Sequence, residues 1–281
     1  MINGELITGS IKIDRLRNKI LEGEIKIPPF QRVFVWKKEQ VTELMDSIYN
    51  DYPIGSVLLW EVNEKLPSLR DLAGYKLPQK VDGFPLNYIL DGQQRITSIF
   101  GVFANNVEIE DDSQIVNFDI YFDLDADSFI HKENIDVTHH NLKMNLLFNV
   151  TEFFTAVSKY PDDLKEKAVR LQSIFQNYEV PTVTIKKRDK GEVGTIFERI
   201  NNTGTPLSAL ELMVAWTWSE EYDLKDIFKK VYNILESRDF ADVKEKVILQ
   251  CFGAIINNTT ITKERINPRI LDSISLNLTL S

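Results

Sequence analysis

The sequence predicts an α+β protein, and three observations carry that prediction. Apolar residues recur at three- and four-residue spacings in several windows, as on one face of a helix. Short stretches between them alternate or run apolar over a few residues, as strands do. Near residue 205 the mixture gives way to helical spacing, which predicts a mixed domain over 1–205 and a helical part over 206–281.

Ile13, Leu16, Ile20 and Leu21 predict the first helix, with Gly23 placed to stop it. Ile25–Ile27 alternates as a short strand and runs into Pro28-Pro29, which favours extended backbone. Val41, Leu44, Met45 and Ile48 stripe a second helix that Pro53 ends, and Ile54–Val62 reads as a buried strand. Residues 63–86, rich in proline, glycine and charge, read as a surface loop. Asn87–Leu90 is a strand stopping at Asp91-Gly92, and Ile96, Ile99, Phe100 and Phe103 start a helix directly afterwards. Val116–Leu124 and Val180–Ile185 are further strands, and Val193, Ile196, Phe197 and Ile200 mark a further helix. Ser208 and Glu211 form a capping box, and helical stripes continue through Leu224–Leu235 and Val243–Ile256. The last residues, 270–281, read as a frayed tail or the stub of a longer chain.

Composition excludes several classes. No run of about 18 apolar residues exists, so no membrane-spanning helix is expected, and the start lacks the pattern of a secretory signal. The expected location is the cytoplasm. The single cysteine, Cys251, lies in an apolar stretch and reads as a buried thiol; one Cys and three His leave too few ligands for a structural zinc site. A net charge of −9 makes stand-alone binding to duplex DNA unfavourable. Lys186, Lys187, Arg188 and Lys190 form the densest basic run, which reads as a solvated turn between a strand and a helix. His131, His139 and His140 read as surface histidines, with no carboxylate at a helical spacing suited to a metal.

The residues most suited to chemistry are Asp91-Gly92-Gln93-Gln94-Arg95. A strand ends, glycine turns the chain and a helix starts, so free amides and the positive helix end together suit an anion. Arg95 offers a planar fork to a phosphate, the two glutamines can donate to its oxygens or position a water, and Asp91 can hold a metal or orient Arg95. The helical stripe leaves Gln94, Arg95 and Ser98 nearer the accessible side. The same residues also read as a plain capped turn with Arg95 in a surface ion pair. Gln31 and Arg32, behind two prolines and beside Phe30, Phe34 and Trp36, suit a phosphate with an adjoining base, or form a packed strand with one exposed arginine. The polar turn Asn201-Asn202-Thr203-Gly204 joins two helices and could face Asn201 or Thr205 toward a ligand.

Four blocks together resemble one family. They are Ile27-Pro-Pro-Phe-Gln-Arg-Val-Phe-Val-Trp36, then Ser47-Ile48 through Pro53-Ile-Gly-Ser-Val-Leu-Leu-Trp60, Ile89-Leu-Asp-Gly-Gln-Gln-Arg-Ile-Thr-Ser98, and Phe197-Glu-Arg-Ile-Asn-Asn-Thr-Gly-Thr-Pro-Leu-Ser208. In this order they resemble the N-terminal domain of GmrSD-type modification-dependent restriction proteins, related to the ParB/sulfiredoxin-like fold. The resemblance implies nucleoside-triphosphate binding and hydrolysis, with magnesium as cofactor, coupled to restriction of foreign or modified DNA. With it the catalytic role falls to Asp91, Gln93, Gln94 and Arg95 and nucleotide contacts to Gly92, Ser98 and Asn201, while Gln31 and Arg32 line the same cleft or contact modified DNA. Many relatives carry a His-Asn-His nuclease; with three histidines, all within 131–140, this chain is expected to lack one, the nuclease lying elsewhere in a longer protein, coming from a partner or being lost in this member. The alternative is a non-catalytic nucleotide- or DNA-sensing module that switches a partner nuclease. Direct DNA cleavage by a ParB-like site ranks behind both, given the charge.

Overall fold

The structure, a computed structural model, describes residues 4–66, 68–69, 71–77, 83–201, 213–214, 224–240, 242–244 and 247–251. The change to helical texture near 205, the polar turn beyond Asn201 with Thr205, and the Ser208–Glu211 capping box lie outside these residues, as does the 270–281 tail. The chain divides into two units, the first formed by 1–27, 32–64 and 69–186, the second by 28–31, 65–68 and 187–281.

The first unit is built on a five-stranded mixed sheet. Its strands are β1 (Glu5–Lys12), β2 (Ile25–Lys26), β3 (Val57–Val62), β6 (Leu86–Asp91) and β10 (Glu179–Lys186), in the order β1-β10-β3-β6-β2. β10 runs parallel to β3 and β2 parallel to β6, whereas β1–β10 and β3–β6 are antiparallel. Helices α1 (Ile13–Leu21), α2 (Lys38–Tyr49) and α3 (Gln93–Phe103) follow the predicted stripes, because their apolar faces are the buried ones. A smaller sheet, β8-β7-β9, holds β7 (Ile120–Asp123), β8 (Ser128–His131) and β9 (Asn141–Lys143), and α4 (Val150–Val157) and α5 (Asp162–Asn177) follow it. Aromatic edges fill the core: Phe103 meets Phe148 and Phe175 at 5.0 and 5.5 Å between ring centres, and Phe122 meets Phe129 at 4.8 Å.

The mixed α+β class is as predicted, and several elements differ in detail. The strand expected from Ile54 begins at Val57, since 54–56 remain loop. The stretch expected as a strand from Val116 starts as a short 3-10 turn, Ile115–Phe118, before β7. The loop over 63–86 contains a two-residue hairpin, β4 (Asp71–Leu72) with β5 (Tyr75–Lys76). Strand β1 was not legible because most of its side chains are exposed; pairing with β10, not an apolar face, makes it a strand. Helix α5 did carry a stripe, Leu164, Ala168, Leu171 and Phe175, within a strongly charged sequence.

In the second unit, α6 (Lys190–Asn201) and α7 (Leu224–Glu236) lie where the periodicity put them. Phe30 and Phe197 meet edge to face at 4.7 Å. Cys251 is exposed, which corrects the expected buried thiol: the buried positions of its helical stretch are Ile248 and Leu249. Among the described residues no helix is long and apolar enough to cross a membrane.

Candidate nucleotide-binding site

β6 ends at Asp91, and its pairing with β3 shifts register between Leu58 and Leu59, opposite that end. Gly92 then takes a left-handed conformation (φ 89°, ψ 13°) that a side chain would strain. It also lies tight against β3: a Cβ there would stand 3.2 Å from Val57 Cγ2 and 3.4 Å from Val57 Cα. The start of α3 has no side-chain cap and no acidic residue in its first turn. Its first amides therefore remain free for an anion, and the helix dipole favours one there.

The five residues of the turn have distinct surroundings. Gln93 is only 7% exposed, and its side-chain amide makes no hydrogen bond to any described residue. Gln94 is fully engaged: its Oε1 accepts from the backbone amides of Val35 (2.9 Å) and Trp36 (3.4 Å), and its Nε2 donates to the Val33 carbonyl (3.2 Å). It pins an extended segment in which Val33 and Val35 face solvent and Phe34 is buried. Arg95 Nη1 donates to the Ile54 carbonyl at 2.7 Å, and Nη2 reaches the Asp91 carboxylate at 3.3 Å. Ser98 is fully buried and its hydroxyl donates to the Gln94 carbonyl at 2.9 Å, which corrects its expected place on the accessible side. The helix is buried beyond its stripe: Thr97, Ser98, Gly101 and Val102 are buried too, so the whole span Ile96–Phe103 is.

Gly55 is the residue that the sequence reading passed over. It has φ +79°, and a Cβ on it would stand 2.4 Å from Arg95 Nη1. Gly55 and Gly92 thus leave the space that the guanidinium fills. Ile54 and Gly55 also line a cleft of about 490 Å³ between the 51–56 loop and the 177–181 segment, with Tyr52 and Tyr178 on its walls. Burial raises the Tyr178 phenol above its ordinary value, with the nearby Asp51 carboxylate adding to it. Asp91 is the one carboxylate of the turn, and its side chain is 45% exposed. One carboxylate completed by phosphate oxygens and water is a donor set that magnesium accepts.

The other predicted residues fall on both units. Arg32 belongs to the first unit, one residue before Val33, whereas Gln31 belongs to the second, in a turn where its amide donates to Pro28 O at 3.1 Å. Asn201 is the last residue of α6. Lys186 pairs with Glu61 at 2.8 Å and Arg188 with Glu192 within its own turn, so these two cations of the basic run are neutralised locally. His131 is buried, with Nε2 2.7 Å from the Val116 carbonyl, not a surface residue. His139 and His140 meet Asp123 and Asp125, carboxylates 15 or 16 positions earlier that a search at helical spacing could not find.

A mixed sheet ending in a strand–glycine–helix turn, with an uncapped helix start and an arginine seated beside it, is an arrangement that suits an anion. The chain belongs to the family described as GmrSD restriction endonuclease, N-terminal domain, which it matches over residues 13–218. It is also 30% identical over 234 residues to an uncharacterized protein of Methanocaldococcus jannaschii, a match covering 71% of this chain and 40% of the archaeal protein.

Proposed function

We propose that this chain binds and hydrolyses a nucleoside triphosphate as the sensor domain of a DNA restriction system. The observation that carries the reading is the uncapped start of α3, with Arg95 seated beside it against Gly55 and Gly92. Gln93, at that start, makes no side-chain hydrogen bond to a described residue, so its amide is available to a ligand. The phosphates would lie on the free amides of the first turn, and the nucleoside in the adjoining cleft, where Tyr52 and Tyr178 offer faces for a base.

The long 3.3 Å contact between Arg95 and Asp91 is the one that a phosphate would take over, while Nη1 stays on Ile54. Arg95 then neutralises charge as it develops on the transferring phosphoryl group, and Gln93 orients the attacking water. Asp91, released from Arg95, would hold a magnesium ion arriving with the triphosphate; the ion would supply further charge neutralisation. Gln94 acts as a positioning residue through the 33–36 segment.

That segment supports a second reading, a binding switch without turnover. Any movement of the start of α3 carries Val33–Trp36 with it through Gln94, next to Arg32, where foreign or modified DNA or a partner nuclease could respond. Thermal melting with each nucleoside triphosphate and magnesium, with phosphate release read in parallel, separates the two. Stabilisation and release that both vanish in a folded Arg95→Ala variant support the hydrolase. Stabilisation without release supports the switch. Undiminished turnover in Arg95→Ala overturns the assignment.

A further inference from the structure

We propose that Asp123, Asp125 and His139 form a binding site for a divalent first-row transition-metal ion of the manganese or zinc class, separate from the glycine turn. One oxygen or nitrogen of each residue lies within 4.8 Å of the others. Donors sharing an ion at about 2.0–2.2 Å stand within roughly 4.3 Å of one another, so small side-chain rotations suffice to close the set. The site is empty.

The fold brings the donors together from two loops. Asp123 ends β7, Asp125 sits in the turn to β8, and His139 arrives at the end of the connection from β8 to β9. Asp123 is a carboxylate with only 4% of its surface exposed. Its Oδ1 is committed to the turn, accepting from the amides of Asp125 (3.0 Å) and Ala126 (2.9 Å). Its Oδ2 faces His139 Nδ1 at 2.6 Å. Asp125 Oδ2 receives the His140 amide and lies 3.0 Å from His140 Nδ1, and Asp136 stands 3.8 Å from His139 Nε2. Asp123, Asp125 and Asp136 thus lie around the two imidazoles, and Asp123, the buried one of the three, gains most from a cation.

A second observation comes from outside the acidic residues. Asn141 is the cross-strand partner of Asp123, so both side chains stand on the same face of the small sheet. Its Nδ2 donates to the carbonyls of Asp136 and His139, yet its Oδ1 is buried and accepts no hydrogen bond among the described residues. An unpartnered amide oxygen on the residue paired across from Asp123 is a further hard donor. Asp127 is not part of the set, because Lys167 holds it at 3.2 Å while also capping the Leu124 carbonyl. A mixed oxygen–nitrogen set of three or four protein donors is too small for calcium. Its imidazole disfavours magnesium and suits manganese or zinc. The bound ion would replace the proton of His139 and fasten the 132–140 connection to the end of β7.

The test uses the full chain, stripped with chelator and free of nucleotide. Titration with manganese and with zinc, followed by calorimetry and by melting, should show one saturable ion per chain and a raised melting temperature. Asp125→Asn and His139→Gln should lower affinity at least tenfold, while Asp127→Asn and Asp91→Asn leave it unchanged. Manganese should also broaden the ring resonances of His139 and His140 and the side-chain amide of Asn141 in the unmutated protein. That readout does not depend on any variant folding. No saturable binding, equal binding by His139→Gln, or broadening centred on the Asp91 turn would each overturn the proposal.

Discussion

The guanidinium of Arg95 rests against the backbone of Gly55, so closely that a methyl group on Gly55 would stand 2.4 Å from Nη1. Forty residues of sequence separate these two, and β3 and β6 bring them together. The glycine is required twice, by its positive φ and by the arginine's position. Gly55→Ala should cost about 1–3 kcal/mol through the strained backbone alone. It should also displace Arg95 and remove stabilisation by nucleoside triphosphate. Melting with and without nucleotide checks both, and full retention of the nucleotide effect would show that Arg95 need not sit there.

Gln94 is predicted to act on structure before chemistry. Gln94→Ala deletes all three hydrogen bonds to the 33–36 backbone, at a cost of about 1–3 kcal/mol. Amide exchange at Val35 and Trp36 should accelerate more than exchange in the central strands. Unchanged protection at Val35 would mean that Gln94 does not hold the segment.

Gly101 is a packing glycine within α3. A Cβ there would fall 2.5–2.7 Å from three ring atoms of Phe118, itself packed on Phe34. Gly101→Ala gains up to about 1 kcal/mol in helix propensity. Overpacking opposes that by about 1–3 kcal/mol. Net destabilisation in denaturant unfolding is expected, with recovery on adding Phe118→Leu. A stabilised single variant would count against this packing.

Asp119 sets part of the acid limit. Burial pushes its carboxyl up, but hydrogen bonding and charge from Lys143 (2.7 Å) and then Lys132 (3.5 Å) outweigh this and hold it below its ordinary value. A depressed folded value contributes stability that is complete above the unfolded value, about pH 4. That contribution is lost as pH falls through the folded value. Asp119→Asn should lower stability at neutral pH and flatten the fall below about pH 4. An acid limb as steep as that of the unmutated protein would place the loss in other carboxylates.

Local sequence was enough to locate the strand–glycine–helix turn over Asp91–Arg95, the α1, α2 and α3 stripes and the family to which the chain belongs, because each rests on short-range periodicity or on a contiguous motif. Tertiary structure alone decided how adjacent residues divide their roles. Gln93 and Gln94 are the same residue type side by side. Yet one makes no side-chain hydrogen bond to a described residue and the other is tied to backbone 58 to 61 positions away. The seat that Gly55 makes for Arg95, the burial of Ser98 and the gathering of Asp123, Asp125 and His139 were equally unreadable. Each depends on which strands pair and where their ends meet, and spacing along the chain carries no record of that.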